Sequence, residues 1–230
     1  MKFEDYKVVQ AAAKAVLAHI VDSIGPESTE QTIVDTSIRL LSEKGITETW
    51  YHDVPAFVLL GSRSCLSISG KDYSPSNEPV GETNLVTIDL SPLSGKTWGD
   101  CARSYYIESG KCTTTPSLSE FQNGANVEVQ LHQSMAKFVS HKTRFCELYE
   151  FGNELINSLG FENLDFLGNL GHSIELSPSK RRFIDQSCEE ELGSVHFFTF
   201  EPHIRKIEGI WGFKHEDIYY FDEQGCVVAL

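Results

Sequence analysis

Residues 85–107, L-V-T-I-D-L-S-P-L-S-G-K-T-W-G-D-C-A-R-S-Y-Y-I, decide how the chain is read. A β-branched and apolar run, 85–90, carries Asp89 near its end. A stretch containing Pro92 and Gly95 follows, and Asp100 arrives 11 residues after Asp89, beside a second β run. Such runs bounded by Pro, Gly and Ser predict two strands of a hairpin. A hairpin of this length can bring the two carboxylates face to face, where buried acids repel and require a cation or a proton. Taken alone, the pair also fits an Asp89 that caps a turn and an Asp100 in solvent.

Working outward, helices and strands interleave. Residues 3–20 place Val8, Ala12, Val16 and Ile20 four apart, which predicts an amphipathic helix facing a core. After Gly25 and Pro26, Ser28 is the expected cap of a second helix with Gln31 reaching back, closed by Gly45. Strands are predicted at 56–60, 85–90 and 104–108. Helical period returns over 126–159, first with Val129, Met135, Phe138 and Val139, then with Leu148, Phe151, Leu155 and Ile156. Two further strands, 195–201 and 217–221, precede an apolar tail at 226–230, and Phe197, Phe198, Phe200, Tyr219, Tyr220 and Phe221 read as sheet core. Strands arriving in hairpin groups predict an α+β class rather than a doubly wound sheet, and no linker divides residues 1–230 into separate domains.

Composition narrows the function. Nineteen basic against 33 acidic residues give a net charge of −14, which argues against nucleic acid or an anionic membrane as partner. The most apolar window, 8–24, is interrupted by Gln10, Lys14, His19, Asp22 and Ser23, so neither a membrane span nor a signal peptide is predicted. The six cysteines lie 36, 11, 34, 42 and 38 positions apart without a C-x-x-C pair, as expected of reduced thiols in a cytoplasmic protein.

Three more segments carry chemistry. G-H-S-I sets His172 beside Gly171, F-T-F-E-P ends a strand in Glu201, and H-E-D-I places Glu216 at the start of the next. Asp89, Asp100, His172, Glu201 and Glu216 together offer four carboxylates and one imidazole. Hard oxygen donors with a single nitrogen suit manganese, iron, cobalt or zinc in a shared two-metal site.

With these residues in view, the sequence resembles the pita-bread metallopeptidases: methionine aminopeptidase, aminopeptidase P, prolidase and their relative creatinase. The resemblance begins at 24–30, I-G-P-E-S-T-E, similar to the family's I-x-P-G-x-T-E with Glu27 in place of glycine. It continues through the Asp89/Asp100 hairpin, where Arg103 and Ser104 match D-x-x-R-T, and ends with the His172, Glu201 and Glu216 motifs. The five residues follow one another at spacings of 11, 72, 29 and 15, and the 29 suits the prolidase and aminopeptidase P side of the family. The resemblance implies a mostly antiparallel pita-bread sheet flanked by helices, with 1–230 as the catalytic domain alone. It implies two divalent ions (Mn, Co, Fe or Zn), Asp89 binding one through both oxygens, Asp100 and Glu216 bridging, and His172 and Glu201 completing the second. A hydroxide held between the ions would attack a peptide carbonyl, Glu201 would shuttle the proton, and Arg103 would hold a ligating carboxylate through paired hydrogen bonds. The implied substrate is a short peptide, with a small or proline-type second residue, or a small amide; a homodimer is left open.

Two family histidines that polarise the substrate carbonyl are missing. The first zone reads Ser69-Gly70-Lys71-Asp72-Tyr73, and the second position is Ser179. His203, two residues beyond Glu201, is the first choice of substitute, with Lys71, Tyr73, His52 and His215 also available. Losing one such donor costs about 2.7–4 kcal/mol of transition-state stabilisation. The alternatives are therefore a peptide- or protein-binding module on the same fold, or a metalloenzyme acting on a small molecule. Arg181 and its neighbours Lys180 and Arg182 follow the metal histidine and offer a grip for a substrate carboxylate; Glu189, Glu190 and Glu191 read as a solvated turn.

Overall fold

The structure is a computed structural model describing residues 2–230. Its helices are α1 (Phe3–Ile20), α2 (Glu30–Glu43), α3 (Ser119–Phe138) and α4 (Phe145–Ser158). Its strands are β1 (Glu48–Thr49), β2 (Ala56–Leu60), β3 (Thr83–Leu90), β4 (Pro92–Ser94), β5 (Thr97–Trp98), β6 (Cys101–Glu108), β7 (Lys111–Thr113) and β8 (Phe161–Asn163). They continue as β9 (Phe198–Phe200), β10 (His203–Lys206), β11 (Gly212–Lys214), β12 (Asp217–Phe221) and β13 (Val227–Ala229). Every paired strand is antiparallel, in sheets ordered β2-β3-β6-β7, β11-β10-β8, β13-β12-β9 and β1-β4-β5. This is the expected α+β arrangement.

The β3–β6 hairpin is the spine of the site. Asp89 stands opposite Ala102 in its register, and the turn between the strands itself pairs as β4 and β5. Ala102 also bridges to Glu216, Asp217 pairs with Phe200, and Ser173 bridges to Phe198. One unbroken succession of backbone pairings thus runs from Asp89 through Glu216 to the His172 segment. Residues 127 positions apart in sequence are thereby held in fixed register.

Two cores flank this spine. One packs α1 and α2 on β2, β3 and β6, with Ala13, Val16, Ile20, Ile33, Val58 and Ile88 buried. The other sets α3 and α4 against the carboxy-terminal strands through Phe121, Phe145, Leu148, Phe161, Phe200 and Phe213. Among the described residues no helix is long and apolar enough to cross a membrane, and all six cysteines are free.

Several expectations need correction. Val8 lies 67% exposed, and the buried face of α1 is Tyr6, Val9, Ala13, Val16, Leu17 and Ile20. Steps of four overshoot a turn of 3.6 residues by about 40° each, so Val8 and Ile20 cannot share one narrow face. Thr29, not Ser28, caps α2: its hydroxyl accepts from the Thr32 amide and the Thr32 hydroxyl accepts from the Thr29 amide. Ser28 instead accepts from Gly25, and Gln31 turns to Asp35. Helix α3 begins at Ser119, seven residues before the predicted start, and runs through Gly124. A Cβ on Gly124 would sit 2.2 Å from the Phe213 ring, so this glycine serves close helix–sheet packing rather than a bend. Val129 is half exposed, and Val127, Leu131 and Met135 face the core instead. The strand predicted over 195–201 shortens to Phe198–Phe200, because 192–194 form a 3-10 turn.

Candidate functional site

The site grows from backbone clamps. Gln10, which interrupts the apolar face of α1, is fully buried; its Nε2 donates to the Asp100 carbonyl at 2.7 Å and its Oε1 accepts from the Asp100 amide at 3.3 Å. The Trp50 indole donates to the Gly99 carbonyl at 2.8 Å, and that of Trp98 to the Glu175 carbonyl at 2.7 Å, tying the hairpin to the histidine segment. The His172 amide donates to the Thr199 hydroxyl and the Thr199 amide to the His172 carbonyl. Gly171 makes this crossing possible, since at φ +140° a Cβ there would lie 2.4 Å from the Thr199 carbonyl oxygen.

Asp100, His172 and Glu216, all buried, each present one ligand atom within 4.8 Å of the others. The His172 Nδ1 lies 3.1 Å from the Ser173 carbonyl, so it carries the proton and leaves Nε2 as the acceptor nitrogen. That nitrogen faces an Asp100 oxygen at 3.4 Å and a Glu201 oxygen at 3.7 Å. Burial pushes the imidazole pKa down to about 4, so it is neutral at pH 7. Neither oxygen of the Glu216 carboxylate has a hydrogen-bond partner. Burial first, then the neighbouring Asp89 and Glu201 charges, drive the Asp100 pKa well up. Glu216 is raised likewise by burial and then by Asp100, Glu201 and Asp89. Three electron-pair donors thus converge, with Arg181 Nη1 beside the imidazole nitrogen at 3.4 Å, and a small divalent ion with bonds of about 2.0–2.6 Å suits such a cluster. The residues present fit one metal ion.

Asp89 and Glu201 are engaged otherwise. Lys214, which sequence reasoning missed, extends from β11 so that its Nζ lies 2.5 Å from Asp89 Oδ2 and 3.3 Å from Glu201 Oε2. The Ser104 hydroxyl fixes the lysine backbone, donating to its carbonyl at 3.1 Å and accepting from its amide at 2.9 Å. Burial would lower the lysine pKa, but Asp89, Glu201 and Glu216 outweigh it and hold the amine charged. Burial likewise pushes Glu201 up, yet Lys214, His172 and Arg181 prevail and keep it below the ordinary carboxylate range. For Asp89 the desolvation exceeds the ammonium's pull and its pKa is raised. The available signal was positional: Lys214 lies two residues before Glu216, the spacing at which side chains of an extended segment share a face.

The other expected residues are spread around a cleft of about 420 Å³. Arg103 does not reach a candidate ligand carboxylate. Its Nη2 donates to both oxygens of Asp217 at 2.9 and 3.0 Å, and its Nη1 to the Glu216 carbonyl at 2.6 Å, so it positions Glu216 through the backbone. His203 lines the cleft, but its Nε2 must donate to the Ser64 carbonyl 2.6 Å away. Burial takes its pKa to about 4, so the neutral ring has no second N–H for a substrate carbonyl. Tyr73 bonds the Val58 backbone and His215 pairs with Asp217, each away from the cleft, and Lys71 is exposed. His52 is at the cleft, beside Gly70. Arg181 is there too: its guanidinium lies 4.6 Å from the Trp50 ring centroid and 5.4 Å from that of Phe183, and its Nη1 approaches His172 Nε2 at 3.4 Å.

The strand framework has counterparts among solved structures. The chain superposes on the X-Pro aminopeptidase from Thermotoga maritima MSB8 with a TM-score of 0.80 at 21% identity, covering 98% of this chain and 59% of that one. Against the prolidase from Pyrococcus horikoshii OT3 the values are 0.78 and 18%, covering 99% and 62%. The methionine aminopeptidase from Thermotoga maritima gives 0.77 and 15%, covering 98% and 94%. The chain therefore spans about three fifths of the first two and nearly all of the third; at these identities the likeness establishes the pita-bread fold. No curated protein matches at the sequence level. The profile of metallopeptidase family M24 matches residues 4–223, and on that match, with the acid and imidazole cluster at the junction of its strands, the chain belongs to metallopeptidase family M24.

Proposed function

We propose that residues 1–230 form a catalytic domain that hydrolyses an amide bond in a short peptide or small amide, of the aminopeptidase or Xaa-Pro type, with a divalent metal held by Asp100, His172 and Glu216. The observation that carries this reading is the buried Glu216 carboxylate, both oxygens unpartnered, opposite the lone pair of a neutral His172. Burying a carboxylate without a counter-charge is costly and fits a site kept for an ion. A bound divalent ion supplies Lewis acidity and lowers the pKa of water towards about 7.

The chain's own residues do the rest. Glu201, ionised at neutral pH and partly open to the cleft, is placed to accept the proton of an attacking water and pass it to the leaving amine. Arg181, stacked on Trp50, offers paired donors to a substrate carboxylate. A 420 Å³ cleft accommodates a ligand the size of a small peptide.

The test is amine release from a panel of Xaa-Pro and other short peptides by protein loaded with Mn²⁺. Glu201→Gln is expected to abolish turnover while leaving one bound ion. Stoichiometric metal without cleavage of any peptide would overturn the hydrolase reading. A second reading, a peptide-binding module, is favoured by one observation: the only N–H of His203, the first choice to replace the missing pair, is committed to Ser64. Retention of uncut peptides with undisturbed affinity in Glu201→Gln is its expected result.

A further inference from the structure

We propose that the Lys214 ammonium stands where a second cation would, so that this chain binds a single divalent ion, on Asp100, His172 and Glu216, with Asp89 and Glu201 reserved for the lysine. The inference rests on the metal-binding reading above and departs from the two-ion expectation drawn from the sequence.

Three observations carry it. The first is contact: Lys214 Nζ reaches Asp89 at 2.5 Å and Glu201 at 3.3 Å, bridging the two acids that do not belong to the tight cluster. An ammonium making those contacts occupies one oxygen of each acid, Asp89 Oδ2 and Glu201 Oε2, and competes there with a second ion. The second is how firmly the lysine is placed. Its backbone is clamped in both directions by Ser104, and its neighbour Phe213 is buried against α3 at Gly124. Gly212, at the start of β11, approaches Ser64 so closely that a Cβ would lie 2.0 Å from its carbonyl oxygen. The strand therefore has little freedom to withdraw the side chain.

The third is charge. Four carboxylates (Asp89, Asp100, Glu201 and Glu216) meet at or beneath the cleft floor, with Lys214 and Arg181 as the cations beside them. Two net negative charges remain, the charge of one divalent ion. Two divalent ions would leave this buried cluster net positive, at +2, or at +1 with a hydroxide held between them. Like charges confined at low dielectric repel one another strongly.

Lys214 is on this account a positioning residue. It holds Glu201 at the edge of the cleft and neutralises Asp89, work that a metal ion would otherwise do.

The experiment is equilibrium titration of the purified chain with Mn²⁺, with bound metal counted by mass spectrometry after desalting. The wild-type chain is expected to hold one ion. Asp89→Asn is expected to keep it, because Asp89 serves the lysine, and Glu216→Gln to lose it. Lys214→Met is expected to admit a second ion. Two ions in the wild type would overturn this inference and leave the hydrolase reading standing. No ion in the wild type would overturn both. Loss of the ion in Asp89→Asn, or one ion only in folded Lys214→Met, would also overturn it. Should Lys214→Met fail to fold, the wild-type and Asp89→Asn stoichiometries decide on their own.

Discussion

Replacing Glu216 by glutamine should make the metal-free protein more stable while abolishing its response to metal. The side chain is fully buried, its oxygens lack partners, and Asp100 faces it. Its pKa is raised, so the folded state binds protons more readily than the unfolded chain. The contribution of such a group to stability is present in full below its ordinary pKa and fades as pH rises through the folded value. At pH 7 wild-type apoprotein must either protonate Glu216 or bear its charge. Protonating a carboxyl whose ordinary pKa is about 4.3 costs about 4 kcal/mol at pH 7, which sets the ceiling. The lower figure is the cost of one unsatisfied buried polar group, about 1–3 kcal/mol. Glutamine removes the charge at constant shape, and its amide can donate to Asp100. Melting temperature at pH 7 without metal should rise by roughly 2–16 °C, taking about 2–4 °C per kcal/mol for a chain of this size. Near pH 4 the two proteins should melt together. Mn²⁺ at a hundredfold excess over its dissociation constant should add about 2.7 kcal/mol to wild type and nothing to the variant. Calorimetry across pH 4 to 8, with and without Mn²⁺, reads all of this. A variant less stable than wild type at pH 7 without metal, or a gain that does not shrink on acidification, would refute the reasoning.

Other outcomes follow from neighbouring contacts. Gly171→Ala should cost about 1–3 kcal/mol or more and displace His172, read as a lower unfolding midpoint in urea together with loss of Mn²⁺ binding, because φ is +140° and the Thr199 carbonyl blocks the Cβ. Asp217→Asn should destabilise by about 3–5 kcal/mol at pH 7, since it strands Arg103 and Lys14 in a largely buried network. Although burial raises the Asp217 pKa, His215, Arg103 and Lys14 hold it well below the ordinary range. That stabilisation is therefore present above about pH 4 and lost below it, and the gap in denaturation midpoints should narrow in acid. Arg181→Ala should raise KM for peptides with a free carboxylate far more than for their amides, with kcat little changed, measured by steady-state kinetics on paired substrates.

How much of this was legible in sequence depends on which interactions are local. The hairpin of β3 and β6 announces itself because β-branched runs and a Pro/Gly turn act over twenty residues, and the two aspartates come with it. The order of the five polar residues was enough to suggest the family. Helix α3 begins before the apolar period that predicts it, and the role of Gly124 in its first turns is set by a distant ring, Phe213, which needs the missing Cβ. Gln10 looked like a flaw in an apolar face because its partner, the Asp100 backbone, lies 90 residues away. In each case the residue type was visible and its reason was a long-range contact.

Lys214 shows the same limit with greater consequence for function. A lone lysine two positions before a glutamate carries no motif, and a charged strand residue ordinarily points to solvent. Its meaning comes from the register that sets β11 beside β10, with Lys214 opposite His203, and from the Ser104 clamp that joins it to β6. Once those pairings are fixed, the ammonium lands between Asp89 and Glu201, and the count of carboxylates ceases to be a count of metal ions. Four acids in family order predict two ions only if nothing else in the chain is positive at the same place. Here the fold brings Lys214 and Arg181 to the same acids, and the proposed single ion takes that positive charge into account as well as the number of acids.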